Sequence, residues 1–307
     1  MFVIKYRKIF YTISIILFAG SLGALFLWGL NPGVDFAGGS LLNVSFEGNI
    51  PKTDEVSAVL VKLNFADASI RPSGEGYFIG LKEISQAEKD TIVQGLTSDG
   101  QYAPIEKTFS SVGPVLSKES IQKSWVSILL VLLAIVLFIA FAFRKVSRSR
   151  SDSSIGRISS WVYGLVTVFA LLHDVLIPTG VFAVLGALRG FEVDTLFVTA
   201  LLVILGFSVH DTIVVFDRVR ENLHKNDEFR EGKNFEEVVG ESISQTFVRS
   251  INTSLTTLLA ITALYIWGPE SVQNFSLVLI IGITVGTYSS IFIGSPLLVT
   301  INNWRNK

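Results

Sequence analysis

Cysteine is absent from the 307 residues, which excludes a disulfide framework and thiolate metal sites. Charge is scarce too: Asp, Glu, Lys and Arg make up 17% of the chain, against roughly a quarter in a soluble globular protein. The shortfall points to surface that faces lipid. The formal net charge is −1 and the signs are clustered, whereas a nucleic-acid binder carries a basic stripe; nucleic acid is excluded as a partner. Catalytic signatures are missing as well. There is no G-x-x-x-x-G-K-[ST] loop, no H-E-x-x-H and no G-x-S-x-G, so nucleotide, zinc-protease and serine-hydrolase chemistry lack their motifs. The sequence reads as a non-enzyme with no cofactor and no metal.

Long apolar runs are what the chain does have. Spanning a bilayer takes about 20 predominantly apolar residues, and six stretches qualify: Phe10–Leu30, Ser124–Phe143, Ser160–Leu188, Thr195–Phe216, Ser250–Trp267 and Ser271–Ile301. The first follows Lys5, Arg7 and Lys8 and exceeds the roughly 7–15 apolar residues of a cleaved signal, so it reads as a retained helix. Arg144, Lys145, Arg148, Arg150 and Arg157 lie between spans two and three. Arg218, Arg220, Lys225, Arg230 and Lys233 lie between spans four and five, and Arg305 and Lys307 end the chain. With six spans all these basic regions fall on one side, which places both termini in the cytoplasm. The expected cytoplasmic loops lie near 144–159 and 217–249, with a tail at 302–307 after a membrane bundle that resumes at 124.

The one long connection, Asn31–Lys123, falls outside and reads as a small α+β domain. Ser40–Phe46 alternates like a strand. Thr53–Asn64 has helical periodicity, with Thr53 as its cap and Val56, Val59, Leu60 and Leu63 on one face. Ser69–Arg71 and Tyr77–Leu81 flank a turn at Ser73–Gly76. Ser85 and Glu88 form a capping-box signal for a helix over Ser85–Leu96, and Ile105–Ser110 supplies a last strand. The predicted fold is therefore six transmembrane helices with a ferredoxin-like βαββαβ extracytoplasmic domain between spans one and two.

Charge near the bilayer centre costs several kcal/mol and marks a functional candidate by default. Two carboxylates lie deep, Asp174 in span three and Asp211 in span four, each after a histidine, His173 and His210. Successive helical residues diverge by about 100°, so neither His–Asp pair should face one way together. Asp211 comes 16 residues after Thr195, about 24 Å along the helix, with Ser208 on its face. Arg249 opens span five and is the counter-ion candidate, with Thr253 and Thr256 or Thr257 continuing its face as hydrogen-bonding or path-lining hydroxyls. Structural readings stand beside these. A buried carboxylate can simply tie helices together, Asp174 can serve a kink at Pro178, Arg249 can be one more edge arginine, and Asp217, Arg218 and Arg220 form a solvated helix end. Gly282, Gly286, Ser290 and Gly294 recur every four residues as a packing ridge.

Several segments resemble the SecF branch of the SecD/SecF family of protein-export membrane proteins. Asn31–Gly39, which includes Asp35, Gly38 and Gly39, looks like the segment after that family's first span. Gly113–Val115, Leu172–Val175, Asp211–Asn222 and Arg249 with Thr253–Leu258 look like its later motifs in order, and the similarity covers nearly the whole chain. The resemblance implies pairing with SecD in an arrangement like the resistance–nodulation–division transporters, association with SecYEG, and proton-driven help to an unfolded secretory chain. It also implies a bacterial inner-membrane, lipid-embedded location and a proton relay carried by Asp211 and Arg249. His210 stands where members of that family often have Asn, either as a relay partner or as a tolerated polar substitute; His173, Asp174, Ser208 and Thr253 would add relay or polar support. A small-molecule or lipid exporter half, or a non-transporting assembly factor, is the alternative, and some members of the family are proposed to use sodium.

Overall fold

The computed structural model describes residues 2–97, 100–142 and 160–305. It divides into two units, one made of residues 1–30, 126–188 and 196–307, the other of residues 31–125 and 189–195.

In the second unit the elements follow the order β-α-β-β-α-β: β1 (Gly39–Phe46), α1 (Thr53–Lys62), β2 (Ser69–Ser73), β3 (Gly76–Leu81), α2 (Gln86–Gly95) and β4 (Pro104–Val112). The strands lie in the order β2-β3-β1-β4, every pair antiparallel. Strand periodicity puts Leu42, Val44 and Phe46 on one face, where they are buried with Val56 and Leu60 of α1, Ile92 of α2 and Ile79 of β3. The predicted box at Ser85 is present: its N–H donates to Glu88 Oε2 at 2.8 Å, and the Glu88 N–H donates to Ser85 Oγ at 3.4 Å. Thr53 is not the cap of α1. The chain enters the helix one residue earlier, and the Lys52 N–H donates to Glu55 Oε2 at 2.9 Å. Two backbone bonds join the domain to segment 189–195, Gly33 N–H to Val193 O (2.8 Å) and Val193 N–H to Asn31 O (2.9 Å).

Among the described residues six helices, lying mostly in the first unit, are long and apolar enough to cross a membrane. Span one is Arg7–Trp28, span two Pro114–Ala142, span three Ser160–Arg189, span four Thr195–Glu228 and span five Phe235–Trp267. Span six is split into Gln273–Ser289 and Ser295–Arg305 by a wider π turn, Ser290–Gly294. Pro296 accounts for that turn: it has no N–H to give, and its ring would press on the carbonyl four residues earlier. Spans three, four and six bury about half of their apolar windows, whereas spans two and five bury almost nothing. The polar residues sort accordingly, because a carboxylate is tolerated in a span only where other helices cover it.

The segment expected as a loop near 217–249 is instead a helical hairpin, in which span four runs on to Glu228 and span five begins at Phe235. Val219 of one arm and Phe235, Val239 and Ile243 of the other are buried in one apolar cluster with residues of the neighbouring helices. Asn222 Nδ2 donates to Ser242 Oγ and to Gln245 Oε1, both at 2.9 Å. Asn226 closes the tip through the Lys233 carbonyl and N–H, both at 3.0 Å. The many charges here hid a helical apolar period that continues past the bilayer. Asp217, Arg218 and Arg220 lie on its outer surface, with pairs such as Arg220–Asp217 at 2.6 Å. The loop expected near 144–159 falls on residues outside those described.

Candidate functional site

Asp174 is fully buried in span three. Its Oδ2 accepts from Ser208 Oγ of span four at 2.5 Å and from Ser289 Oγ of span six at 2.7 Å. Its Oδ1 lies 3.0 Å from Nδ1 of His173. The expectation that His173 and Asp174 diverge fails at their side-chain ends: the Cβ directions differ, yet the imidazole folds back onto the carboxylate. His173 Nε2 is buried and has no hydrogen-bond partner among the described residues. Its ring stacks on Tyr288, centroids 6.5 Å apart, and the Tyr288 hydroxyl donates to Phe10 O at 2.9 Å. Three spans thus close around one carboxylate.

Asp211 is 2% exposed in span four. Its Oδ2 lies 3.4 Å from Ser254 Oγ of span five, which in turn lies 2.7 Å from Thr287 Oγ1 of span six. Both hydroxyls also reach carbonyls of their own helices, Ser254 to Ser250 O (2.8 Å) and Thr287 to Ile283 O (2.8 Å). A hydroxyl has one hydrogen to donate, so these bonds are alternatives. Rotating the two hydroxyls passes a hydrogen bond towards Asp211 or away from it without moving a helix. The arrangement can therefore bind and release a proton on the carboxylate with little reorganisation.

Ser208 shares a helix face with Asp211, as the spacing predicts, but its hydroxyl serves Asp174. His210 diverges from Asp211 and is exposed, and Arg249 is exposed too. Among the described residues, the ion pairs within 4 Å do not include Asp211 with Arg249. The expected contact pair is thus not formed within this chain. Thr253 turns back to Arg249 O at 3.0 Å, Thr256 to Asn252 O at 3.0 Å and Thr257 to Thr253 O at 3.0 Å. Besides Ser208, the hydroxyls that reach the carboxylates are Ser254 and Ser289, with Thr287 behind Ser254, on faces that sequence reasoning passed over. Their one signal is a small hydroxyl residue recurring within otherwise apolar spans.

In the ridge of span six, a Cβ on Gly282 would overlap the Ile204 side chain, and one on Gly286 would sit 3.1 Å from Ser208 Cβ. Spans four and six approach closely at these two residues. Ser290 is buried and donates to Thr287 O at 3.1 Å. Gly294 departs from the expected ridge contact, since a Cβ there would meet only Ser289 O at 3.7 Å. It lies in the π turn, where the four-residue period is broken.

Asp35 Oδ2 accepts from the N–H (3.0 Å) and Oγ1 (2.5 Å) of Thr195, the first residue of span four. A negative charge at a helix N-terminus satisfies unpaired N–H groups and opposes the dipole. Gly38 and Gly39 have φ of +76° and +120°, where a side chain is strained, and a Cβ on Gly39 would meet the Leu81 carbonyl. Among the described residues no group of three or more His, Asp or Glu gathers to hold a metal.

Comparison with known proteins follows the same segments. Residues 154–304 match the family model "Protein export membrane protein SecD/SecF, C-terminal", and residues 24–50 match the "SecD/SecF GG Motif" model. Protein translocase subunit SecF of Thermobaculum terrenum is 41% identical, covering 99% of this chain and 94% of that protein. The SecF subunit of Anaerolinea thermophila is 34% identical, covering 98% and 94%. The crystal structure of SecDF, a translocon-associated membrane protein from Thermus thermophilus, superposes with a TM-score of 0.81 at 29% identity, covering 99% of this chain and 38% of that one. This multi-pass membrane chain belongs to the SecF family of protein translocase subunits.

Proposed function

We propose that the chain works with SecD in the bacterial inner membrane, both termini cytoplasmic, and uses proton entry to assist secretory polypeptides leaving SecYEG. Asp211 takes up and releases the proton. The observation that carries this reading is its carboxylate, 2% exposed inside a span and met at hydrogen-bond distance by Ser254 Oγ at 3.4 Å. An ion in that setting is costly, and a functional role is the default explanation. Arg249 lies on an exposed face of span five, which SecD would cover. It acts there as a cation at the mouth of the path, with His210 beside it; Asp174, His173 and Ser208 give polar support from the neighbouring cluster, and Thr253 keeps the helix face beside Arg249.

One charge crossing the membrane field supplies about 2.3 kcal/mol per 100 mV, which biases a two-state rearrangement roughly fiftyfold. Segment 189–195 joins the helices that carry Asp174 and Asp211, and it is held by the α+β domain. A shift between spans three and four therefore displaces the domain next to an emerging chain.

The test is Asp211→Asn in vesicles containing SecD and SecYEG, with pH and sodium gradients imposed separately. Asn keeps the size and hydrogen bonding but cannot ionise. The expected result is normal folding with the gradient-dependent part of export lost, and only the pH gradient effective in the parent. Unchanged export would defeat the reading, and export driven by sodium alone would replace the proton.

A further inference from the structure

Span one begins in a cluster of charge that the proposed relay does not use. An open cleft of about 320 Å³ lies at its start, lined by Ile4, Lys5, Arg7, Lys8 and Glu236. Three cations thus face one carboxylate. The cleft is also built before any ligand arrives. Arg7 Nη1 donates to Glu236 Oε1 at 2.8 Å and to Ile4 O at 3.1 Å, Val3 and Ile4 are buried in the helical core, and Lys5 Nζ lies 5.6 Å from the centre of the Tyr6 ring. Cations that only set membrane topology need no such fixing.

The surface running away from the cleft is apolar. Phe2, Tyr6, Ile9 and Ile13 are all exposed; Ile9 and Ile13 share a face of span one, and Phe2 and Tyr6, their ring centres 5.0 Å apart, lie just before its start. Such a surface fits a hydrocarbon chain, and the cations at its head fit a phosphate. Basic pockets at the ends of transmembrane helices suit anionic headgroups, and a ligand with both parts engages both surfaces.

We propose that this cleft is a headgroup site for an anionic phospholipid, its phosphate held by Lys5, Arg7 and Lys8 and an acyl chain lying along Phe2, Tyr6, Ile9 and Ile13. A free phosphate would use the cations alone. Prior fixing of Arg7 lowers the ordering cost of binding, and the two lysines supply the excess positive charge.

The test is native mass spectrometry of the purified chain in detergent, titrated with phosphatidylglycerol, with phosphatidylcholine, and with glycerol phosphate as competitor. The parent should keep phosphatidylglycerol in preference to phosphatidylcholine, and Lys5→Gln/Lys8→Gln should weaken its retention roughly thirtyfold, from the loss of two interfacial cations. Arg220→Gln, on the outside of the helical hairpin, should leave retention unchanged. Should the double variant fail to fold, Lys8→Gln alone should show about a fivefold loss. Equal retention of the two lipids, a lysine variant that binds like the parent, or complete competition by glycerol phosphate would each overturn the lipid assignment.

Discussion

Two buried carboxylates differ in how firmly they are held. Asp174 accepts from two serines at 2.7 Å or less and is met by His173, all of them buried. Asp211 accepts from Ser254 at the longer distance of 3.4 Å, and that hydroxyl can turn back to its own helix. This contrast supports the proposed reading, in which Asp174 gives polar support and Asp211 carries the mobile proton. Ser289→Ala removes one donor to Asp174 and should lower unfolding stability in detergent by about 1 kcal/mol. Thr253→Ala removes only a bond back to its own helix and should change it by less than about 0.5 kcal/mol. Denaturant titration of both variants decides; equal losses would show that the intramembrane network does not hold the bundle. The two acids were legible in the sequence because charge is expensive in hydrocarbon. Ser254, Thr287 and Ser289 were not, since a hydroxyl can satisfy itself on its own helix, and only the packed structure shows which ones turn outward.

Individual elements were legible wherever one period or one capping signal dominated, as at β1 or at Ser85 with Glu88. They were not legible where a constraint came from elsewhere. The π turn in span six follows from Pro296, and the hairpin beyond Phe216 from an apolar stripe concealed by charges. The ridge of span six makes the point quantitative. Gly286→Val forces bulk against Ser208 Cβ and should cost about 1–3 kcal/mol, whereas Gly294→Ala, with room for a methyl, should stay within about 0.5 kcal/mol. Thermal unfolding of the two variants separates them, and matching losses would remove the four–six contact as the reason.

The domain helices carry a pH signal of their own. Glu88 is held below the usual carboxylate range by the Ser85 N–H and then the Ser85 hydroxyl; Glu55 is held low by the Lys52 N–H and then Tyr102. A lowered folded value stabilises the fold above the unfolded value near 4.5 and is lost as pH falls through the folded one. Below about pH 4.5, amide exchange in the first turns of α1 and α2, normalised to intrinsic rates, should quicken. Glu88→Gln should already exchange faster at neutral pH in α2 and lose that acid response; a parent-like profile would assign the helix end to other contacts.

At the scale of the whole molecule, segment 189–195 belongs at once to the chain path between spans three and four and to the α+β domain. It is held there by more than the backbone. Arg71 Nη2 pairs with Glu192 Oε1 at 2.7 Å, and Arg71 Nη1 donates to Gly190 O at 2.8 Å. Burial raises the Glu192 carboxyl above its usual range, and Arg71 draws it partly back down. A raised folded value means that this group's stability is present below the unfolded value near 4.5 and lost as pH rises through the folded one. Arg71 is what keeps the ionised Glu192 tolerable at neutral pH. Arg71→Met leaves that carboxylate without its cation and the Gly190 carbonyl without its donor. The pair is part-exposed, so the discounted cost is about 1 kcal/mol, or about fivefold faster exchange of the Val193 N–H that bonds Asn31 O. The excess should shrink as pH is lowered towards 5 and Glu192 takes up a proton. If the segment transmits motion from the spans, the same variant should reduce gradient-driven export while leaving spans three, four and six as stable as in the parent. Unchanged exchange at Val193 would remove Arg71 from the linkage, and altered exchange with full export would show that the domain is moved by another route.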